Sequence, residues 1–172
     1  RDLLMGRTPK DWDIATSAKP EEIQKLFPDS VYENEFGTVG AKTGSKDPKL
    51  AVVEITTFRR EEKYSDLRHP DKIEFTDSIE EDLARRDFTI NAIAIRSETA
   101  NEPESTSINE YEIVDPFEGQ EDLEKKLIKS VGDPQKRFNE DALRLIRAVR
   151  FASELGFAIE EKTAAEVKEN AK

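Results

Sequence analysis

The sequence contains no cysteine and, in 172 residues, one histidine, one methionine and one tryptophan. Lack of cysteine excludes disulfide frameworks, thiolate zinc sites and thiol nucleophiles, and is compatible with a reducing, cytoplasmic setting. Any Ser-His-Asp triad would have to be built on His69, and imidazole-rich metal sites are excluded. Catalysis, if there is any, must rest mainly on carboxylates. No apolar stretch approaches the ~20 residues needed to span a bilayer, so no membrane partner is expected. The opening Arg1-Asp2-Leu3-Leu4-Met5-Gly6 has no signal-peptide pattern, and without methionine at position 1 the chain is expected to be a fragment.

Charge is abundant: 38% of residues are charged against 35% hydrophobic and 8% aromatic. That balance implies an economical core in a strongly hydrated protein of about one domain, with room for a second only if it is small. The 38 acidic residues exceed the 27 basic ones, for a net charge of -11. At face value this speaks against a nucleic-acid partner. Its distribution reverses the inference. Residues 98–124 hold ten acidic side chains and no basic one, which leaves the other 145 residues at -1, while residues 136–150 carry +3. The acidity is expected to belong to one surface segment.

Local patterns predict the organisation. Asp2 to Gly6 reads as the last turn of a helix, Asp11 to Thr16 as a short strand, and Lys19 to Phe27 as a short helix with proline near its start. Residues 36–42 and 50–58 read as strands joined by the hairpin-like 42–49. Residues 59–82 read as a long polar loop leading into a helix from Ser78 to Leu83, with a short strand at Ile73 to Phe75. The apolar run after Arg85-Arg86-Asp87 fits helix or strand, and Tyr111 to Asp115 is the only strand candidate of the acidic segment. One helix is predicted around Asn139 to Leu155, ended by Gly156, and another from near Glu160.

Three constellations can carry chemistry. Asp11 and Asp13 are one residue apart, and in a strand that spacing points both carboxylates to one side, about 7 Å apart. Hard oxygen donors of this kind suit magnesium bound with substrate phosphates. Glu54, inside an apolar run, requires either a partner cation or a solvent-facing strand edge, and would be a third carboxylate if its strand neighboured the first. Arg85-Arg86-Asp87 is either a charged turn or a phosphate contact, since arginine offers phosphate a bidentate fork.

In Glu140-Asp141-Ala142-Leu143-Arg144-Leu145-Ile146-Arg147-Ala148-Val149-Arg150, Asp141 and Arg144 are helix neighbours. Arg147 and Arg150 extend a basic stripe, and Leu143, Leu145, Ile146, Val149 and Ala152 leave a core face. Taken alone, this pattern is explained first by an ordinary amphipathic helix with local ion pairs. The other reading is base recognition: a carboxylate acceptor beside a guanidinium donor complements the Watson-Crick edges of cytosine and adenine and mismatches uracil and guanine.

The segments from Arg1 to Thr16, from Arg85 to Ala92, Asp115-Pro116-Phe117-Glu118-Gly119 and Glu140 to Arg144 resemble, in order, four motifs of the class II (bacterial-type) tRNA nucleotidyltransferases, the CCA-adding enzymes, and of their poly(A) polymerase relatives. The resemblance implies an α+β fold: a nucleotidyltransferase head, a mixed sheet flanked by helices, over 1–135, then the start of an all-α neck over 136–172. It implies that Asp11 and Asp13 hold catalytic magnesium with Glu54 as a further carboxylate. Arg1 and Arg86 would contact the nucleotide, Asp87 and Asn91 would shape its pocket, and Asp141 and Arg144 would read the base. Arg147 and Arg150 would neutralise phosphates or hold that pair in place.

ATP, CTP and the tRNA 3′ end are the implied partners, with poly(A) synthesis or non-catalytic nucleotide binding as alternatives. Retention of a loop over 59–82 favours CCA or A addition over CC addition, with His69 expected as an exposed loop residue. The family's glycine pair would precede Arg1 and its tRNA-gripping body would follow Lys172. The 172 residues alone are therefore expected to be a poor catalyst.

Overall fold

The computed structural model describes residues 1–32, 36–62, 64–97 and 111–171. They form two compact units, one of residues 2–65 and 70–85, the other of Arg1, residues 66–69 and 86–172.

In the first unit, β1 (Asp13–Thr16), α1 (Pro20–Leu26), β2 (Ser30–Tyr32), β3 (Thr38–Lys42) and β4 (Val52–Thr57) follow one another along the chain. The strands make a mixed sheet in the order β1-β4-β3-β2, with β1 parallel to β4 and the other pairs antiparallel. Pro20 opens α1, where its missing N–H costs no hydrogen bond, and the Lys19 amide donates to Glu22 Oε2 at 2.8 Å. Ile23 of α1 packs with Val39, Ala41 and Ile55 on one sheet face. Burial of each such side chain stabilises by about 1.5–3 kcal/mol. The alternate residues Thr38 and Thr56 face the other way, their hydroxyls 3.1 Å apart.

The strand predicted from Asp11 begins only at Asp13, so Asp11 precedes the sheet. The segment expected to be a long loop instead contains a two-stranded antiparallel sheet, β5 (Arg59–Glu62) with β6 (Lys72–Phe75). Hydropathy hides β5 because its inward positions are charged. Glu61, 7% exposed at its side chain, receives Arg59 Nη2 at 2.8 Å, Arg85 Nη1 at 3.1 Å and the Tyr64 hydroxyl at 2.5 Å. Burial pushes the Glu61 carboxyl up, but the Arg85 charge, the Tyr64 hydrogen bond and Arg59 outweigh it and hold the group below the usual carboxylate range.

After β6 comes α2 (Ile79–Ala84), whose first turn is capped by Ser78 accepting from the Glu81 amide at 3.3 Å. Its buried Asp82 accepts from the Arg59 amide at 3.2 Å and from Arg85 Nε at 2.9 Å, fastening the helix to β5. Gly37, at φ +81°, leaves space that the Phe75 ring fills; a Cβ there would stand 2.6 Å from the ring.

In the second unit the ambiguous apolar run resolves into a 3-10 turn (Thr89–Asn91) followed by β7 (Ala94–Ser97), which pairs antiparallel with β8 (Tyr111–Val114). Then come α3 (Gly119–Glu124), β9 (Leu127–Ile128), α4 (Pro134–Glu140), α5 (Leu143–Leu155), β10 (Ala158–Ile159), which runs parallel to β9, and α6 (Glu161–Asn170). The core holds Phe88, Ile90, Ala92, Ile128, Val131, Phe138, Ala148 and Phe151.

The helix predicted around 139–155 is two helices. Asp141 is extended, at φ -143° and ψ 108°, and its carboxylate accepts from the Leu143 amide at 2.9 Å, so the side chain caps the second helix instead of continuing the first. Its core face is also not the expected one. Arg144, Ala148 and Phe151 are buried, while Leu143, Ile146 and Val149 are 45–68% exposed. Of the acidic segment 98–124, residues 98–110 lie outside the described residues. The remainder is not wholly a solvated surface: Asp122 is buried and accepts from the Thr89 hydroxyl at 2.7 Å, and Asp115 accepts from the Gly119 and Gln120 amides at 2.7 and 2.9 Å.

Candidate active site

Each unit carries candidate site residues of its own. In the first, parallel pairing of β1 with β4 makes Asp13 and Glu54 register partners, so their carboxylates share one sheet face, both exposed. Glu54 thus lies on the strand beside Asp13, exposed and opposite in facing to its buried neighbours Val53 and Ile55. Asp11, also exposed, stands two residues upstream of Asp13. No side chain among the described residues pairs with Asp11 or Asp13. Such unneutralised hard oxygen donors fit a divalent cation of the magnesium type. Among the described residues, no three carboxylate or imidazole groups are grouped as a metal site.

In the second unit Asp87, 7% exposed, is the hub. Its Oδ1 accepts from the Phe88 amide at 2.8 Å and from Asn91 Nδ2 at 3.2 Å, and its Oδ2 accepts from Arg147 Nε at 2.7 Å. Arg1 Nη1 donates to Asn91 Oδ1 at 3.0 Å and Arg86 Nη1 to the Asn91 carbonyl at 3.4 Å. Residues 1, 86, 87, 91 and 147 are therefore one connected cluster that presents guanidinium groups around a buried carboxylate. Arginine and asparagine donors held in this way suit phosphate and ribose oxygens. The adjacent Arg85 is no part of it. Its guanidinium is tied to Glu61 and Asp82 in the first unit, so the charged triplet splits, Arg85 bracing the first unit and Arg86 belonging to the second.

The turn that carries Asn91 is braced by the third motif. Gly119 packs against Thr89 so closely that a Cβ would lie 2.8 Å from the Ile93 Cγ1 atom and nearer still to the Thr89 carbonyl oxygen. The Thr89 hydroxyl donates to buried Asp122. In this chain the Asp115 to Gly119 motif is a support for the second motif.

Asp141 and Arg144 are placed differently from a pair on one helical turn. Asp141 caps α5, whereas Arg144, 7% exposed, donates from Nη1 to Glu140 Oε2 at 2.6 Å and to the Arg137 carbonyl at 3.1 Å. Sequence reasoning missed Glu140 as the partner of Arg144, although its position four residues upstream was a legible signal. The loop tip at 66–69 reaches the same corner: Leu67, at φ +57°, accepts from the Ala142 amide at 3.0 Å through its carbonyl. Asp66 accepts from the His69 amide and approaches His69 Nδ1, each at 2.7 Å, which lowers its carboxyl to about 2. His69 is an exposed loop residue, as expected. Arg150 is exposed on α5, within 4.0 Å of Glu154.

Residues 1–129 match the Poly A polymerase head domain. The CCA-adding enzyme of Lactobacillus helveticus is 47% identical over 171 residues, 99% of this chain and 39% of the relative. The crystal structure of the Bacillus stearothermophilus CCA-adding enzyme in complex with CTP superposes with a TM-score of 0.79 at 41% identity, covering 99% of this chain and 37% of that one. A tRNA nucleotidyltransferase complexed with a primer tRNA and an incoming ATP analog gives a TM-score of 0.70 at 31% identity, covering 99% and 44%. The chain thus spans about two fifths of the length of these relatives. Among the described residues, no helix is long and apolar enough to cross a membrane.

Proposed function

The chain belongs to the Poly A polymerase head domain family, and from that premise we propose that its protein is a CCA-adding tRNA nucleotidyltransferase acting in the cytoplasm. It transfers CMP and AMP from CTP and ATP to the 3′ end of tRNA. The observation that carries this reading is the set of exposed carboxylates, with Asp13 in register with Glu54 on one sheet face and Asp11 two residues ahead. Asp11 and Asp13 would hold magnesium, with Glu54 beside them; magnesium bound there supplies the charge that favours an ionised 3′-hydroxyl and steadies departing pyrophosphate.

The chain's own residues do the rest. Arg1 and Arg86 grip the nucleotide, and Asp87 fixes Asn91 and Arg147 at the distances seen. Arg144 and Asp141 read the base edge, because a wrong base would leave buried polar groups unpaired. Arg147 and Arg150 meet phosphate charge. A head over 1–135 and a helical neck starting at 136 is the division we propose, and the head-domain match over 1–129 supports it.

The test uses the complete protein, tRNA lacking its terminal CCA, and CTP and ATP separately and together. Addition that stops after C-C-A is expected, and Asp11→Ala with Asp13→Ala removes turnover while nucleotide binding persists. A long A tail would instead establish poly(A) synthesis, and unchanged turnover in the double variant would leave only a binding role.

A further inference from the structure

Phe151 belongs to no motif singled out in the sequence, yet three arginines converge on it. It is 6% exposed on α5, and its ring meets that of Phe88 edge-on, with centroids 6.0 Å apart and planes at 84°. The guanidinium carbons of Arg150, Arg147 and Arg1 lie 4.8, 5.2 and 5.3 Å from the ring centroid. All three fall within the ~6 Å over which an aromatic quadrupole attracts a cation. Two come from α5 itself and one from the far end of the chain, so local helix geometry does not account for the assembly.

Each arginine also has a separate polar contact: Arg147 with Asp87 at 2.7 Å, Arg1 with Asn91 at 3.0 Å and Arg150 with Glu154 at 4.0 Å. Three like charges around one point repel, and the electron-rich ring they share offsets part of that repulsion. Edge contact with Phe88 fixes the ring in place. A group of guanidiniums ordered before binding loses less side-chain entropy when an anion arrives.

We propose that Phe151 is a positioning residue that preassembles Arg1, Arg147 and Arg150 into one cationic group for the polyphosphate of the incoming nucleoside triphosphate. This rests on the proposed function and adds a residue to it. Because the polyphosphate is common to CTP and ATP, Phe151 acts on affinity for both and not on the choice between them.

The experiment replaces Phe151 in the complete protein with mono-, di- and trifluorinated phenylalanine, which keep the ring's shape while draining its negative face, and adds Phe151→Tyr and Phe151→Leu. CTP and ATP affinities are measured by calorimetry, and KM and kcat by single-nucleotide addition. Affinity for both nucleotides falls in step with fluorine number, roughly two- to fivefold for each weakened cation contact. Phe151→Tyr stays near wild type, while kcat and the KM for tRNA hold. Equal affinity across the fluorinated series overturns the proposal even if Phe151→Leu misfolds, because the fluorinated proteins keep the core. Failure of the wild-type protein to bind either nucleotide would refute the proposed function itself, so the two failures are distinct.

Discussion

Replacing Gly119 by alanine should loosen the turn that holds Asn91. The added Cβ would lie 2.8 Å from both the Ile93 Cγ1 atom and the Thr89 carbonyl carbon and nearer still to the Thr89 carbonyl oxygen, so reaching the ordinary 3.4 Å contact requires a shift well above the 0.6 Å that the first two atoms demand. The Thr89 carbonyl is not free to give way, because it accepts from the Ala92 amide at 3.0 Å and so closes the turn. Thr89 is also fixed from its own amide, which donates to the Lys129 carbonyl at 3.0 Å, and from its hydroxyl on Asp122. Overpacking against a backbone held on several sides costs about 2–3 kcal/mol. Hydrogen exchange on the complete protein reads that cost locally: the Thr89 and Ala92 amides should exchange roughly 30- to 150-fold faster. Nucleotide affinity should fall with them, since Arg1 and Asp87 both bond Asn91. Wild-type exchange at both amides would refute the idea that Gly119 braces the turn.

Three other changes test separate parts of the structure. Glu61→Gln leaves Arg59 and Arg85 without their carboxylate in a buried setting and should destabilise the β5–β6 sheet by about 3 kcal/mol in urea titrations. Because the Glu61 pKa is depressed in the folded state, the stability it contributes is complete above the ordinary carboxylate pKa. It is lost as pH falls through the lower folded value, an acid sensitivity that Glu61→Gln should abolish in pH-dependent melting. Asp66 should titrate near 2 by carboxyl NMR, and Asp66→Asn should release the His69 and Arg68 amides to exchange. Arg144→Ala should reduce discrimination of CTP from UTP by about tenfold or more in competition assays; Glu140→Gln should do so more weakly, by loosening Arg144 without removing it.

What was legible in the sequence was whatever depends on neighbouring residues. Pro20 announces α1, Ser78 announces α2, and the branched residues of β4 announce a strand without deciding between a partner cation and a solvent-facing edge for Glu54. The family and the candidate site residues were legible only through motif order, since composition alone argued against a polyanion partner. What was hidden depends on residues far apart in the chain. The strand β5 looks like a polar loop until Glu61 is seen between Arg59 and Arg85. A capping role for Asp141 and a helical role look alike at the level of spacing, so the break between α4 and α5 went unforeseen. Phe151 stands in no sequence motif because one of its partners, Arg1, lies 150 positions away.

The parallel edge position of β1 has a consequence for how the protein matures. Asp13 finds Glu54 only after 40 intervening residues have emerged, and among the described residues β1 pairs with no strand of the sheet except β4. The antiparallel β2, β3 and β4 can zip by shorter closures, whereas β1 must wait at the rim for β4 to exist. During synthesis the chain therefore displays Asp11 and Asp13 on an unpaired segment until Thr57 has been made. The alignment of Asp13 with Glu54 therefore waits for a sheet that is already built, so this carboxylate face is completed late in folding.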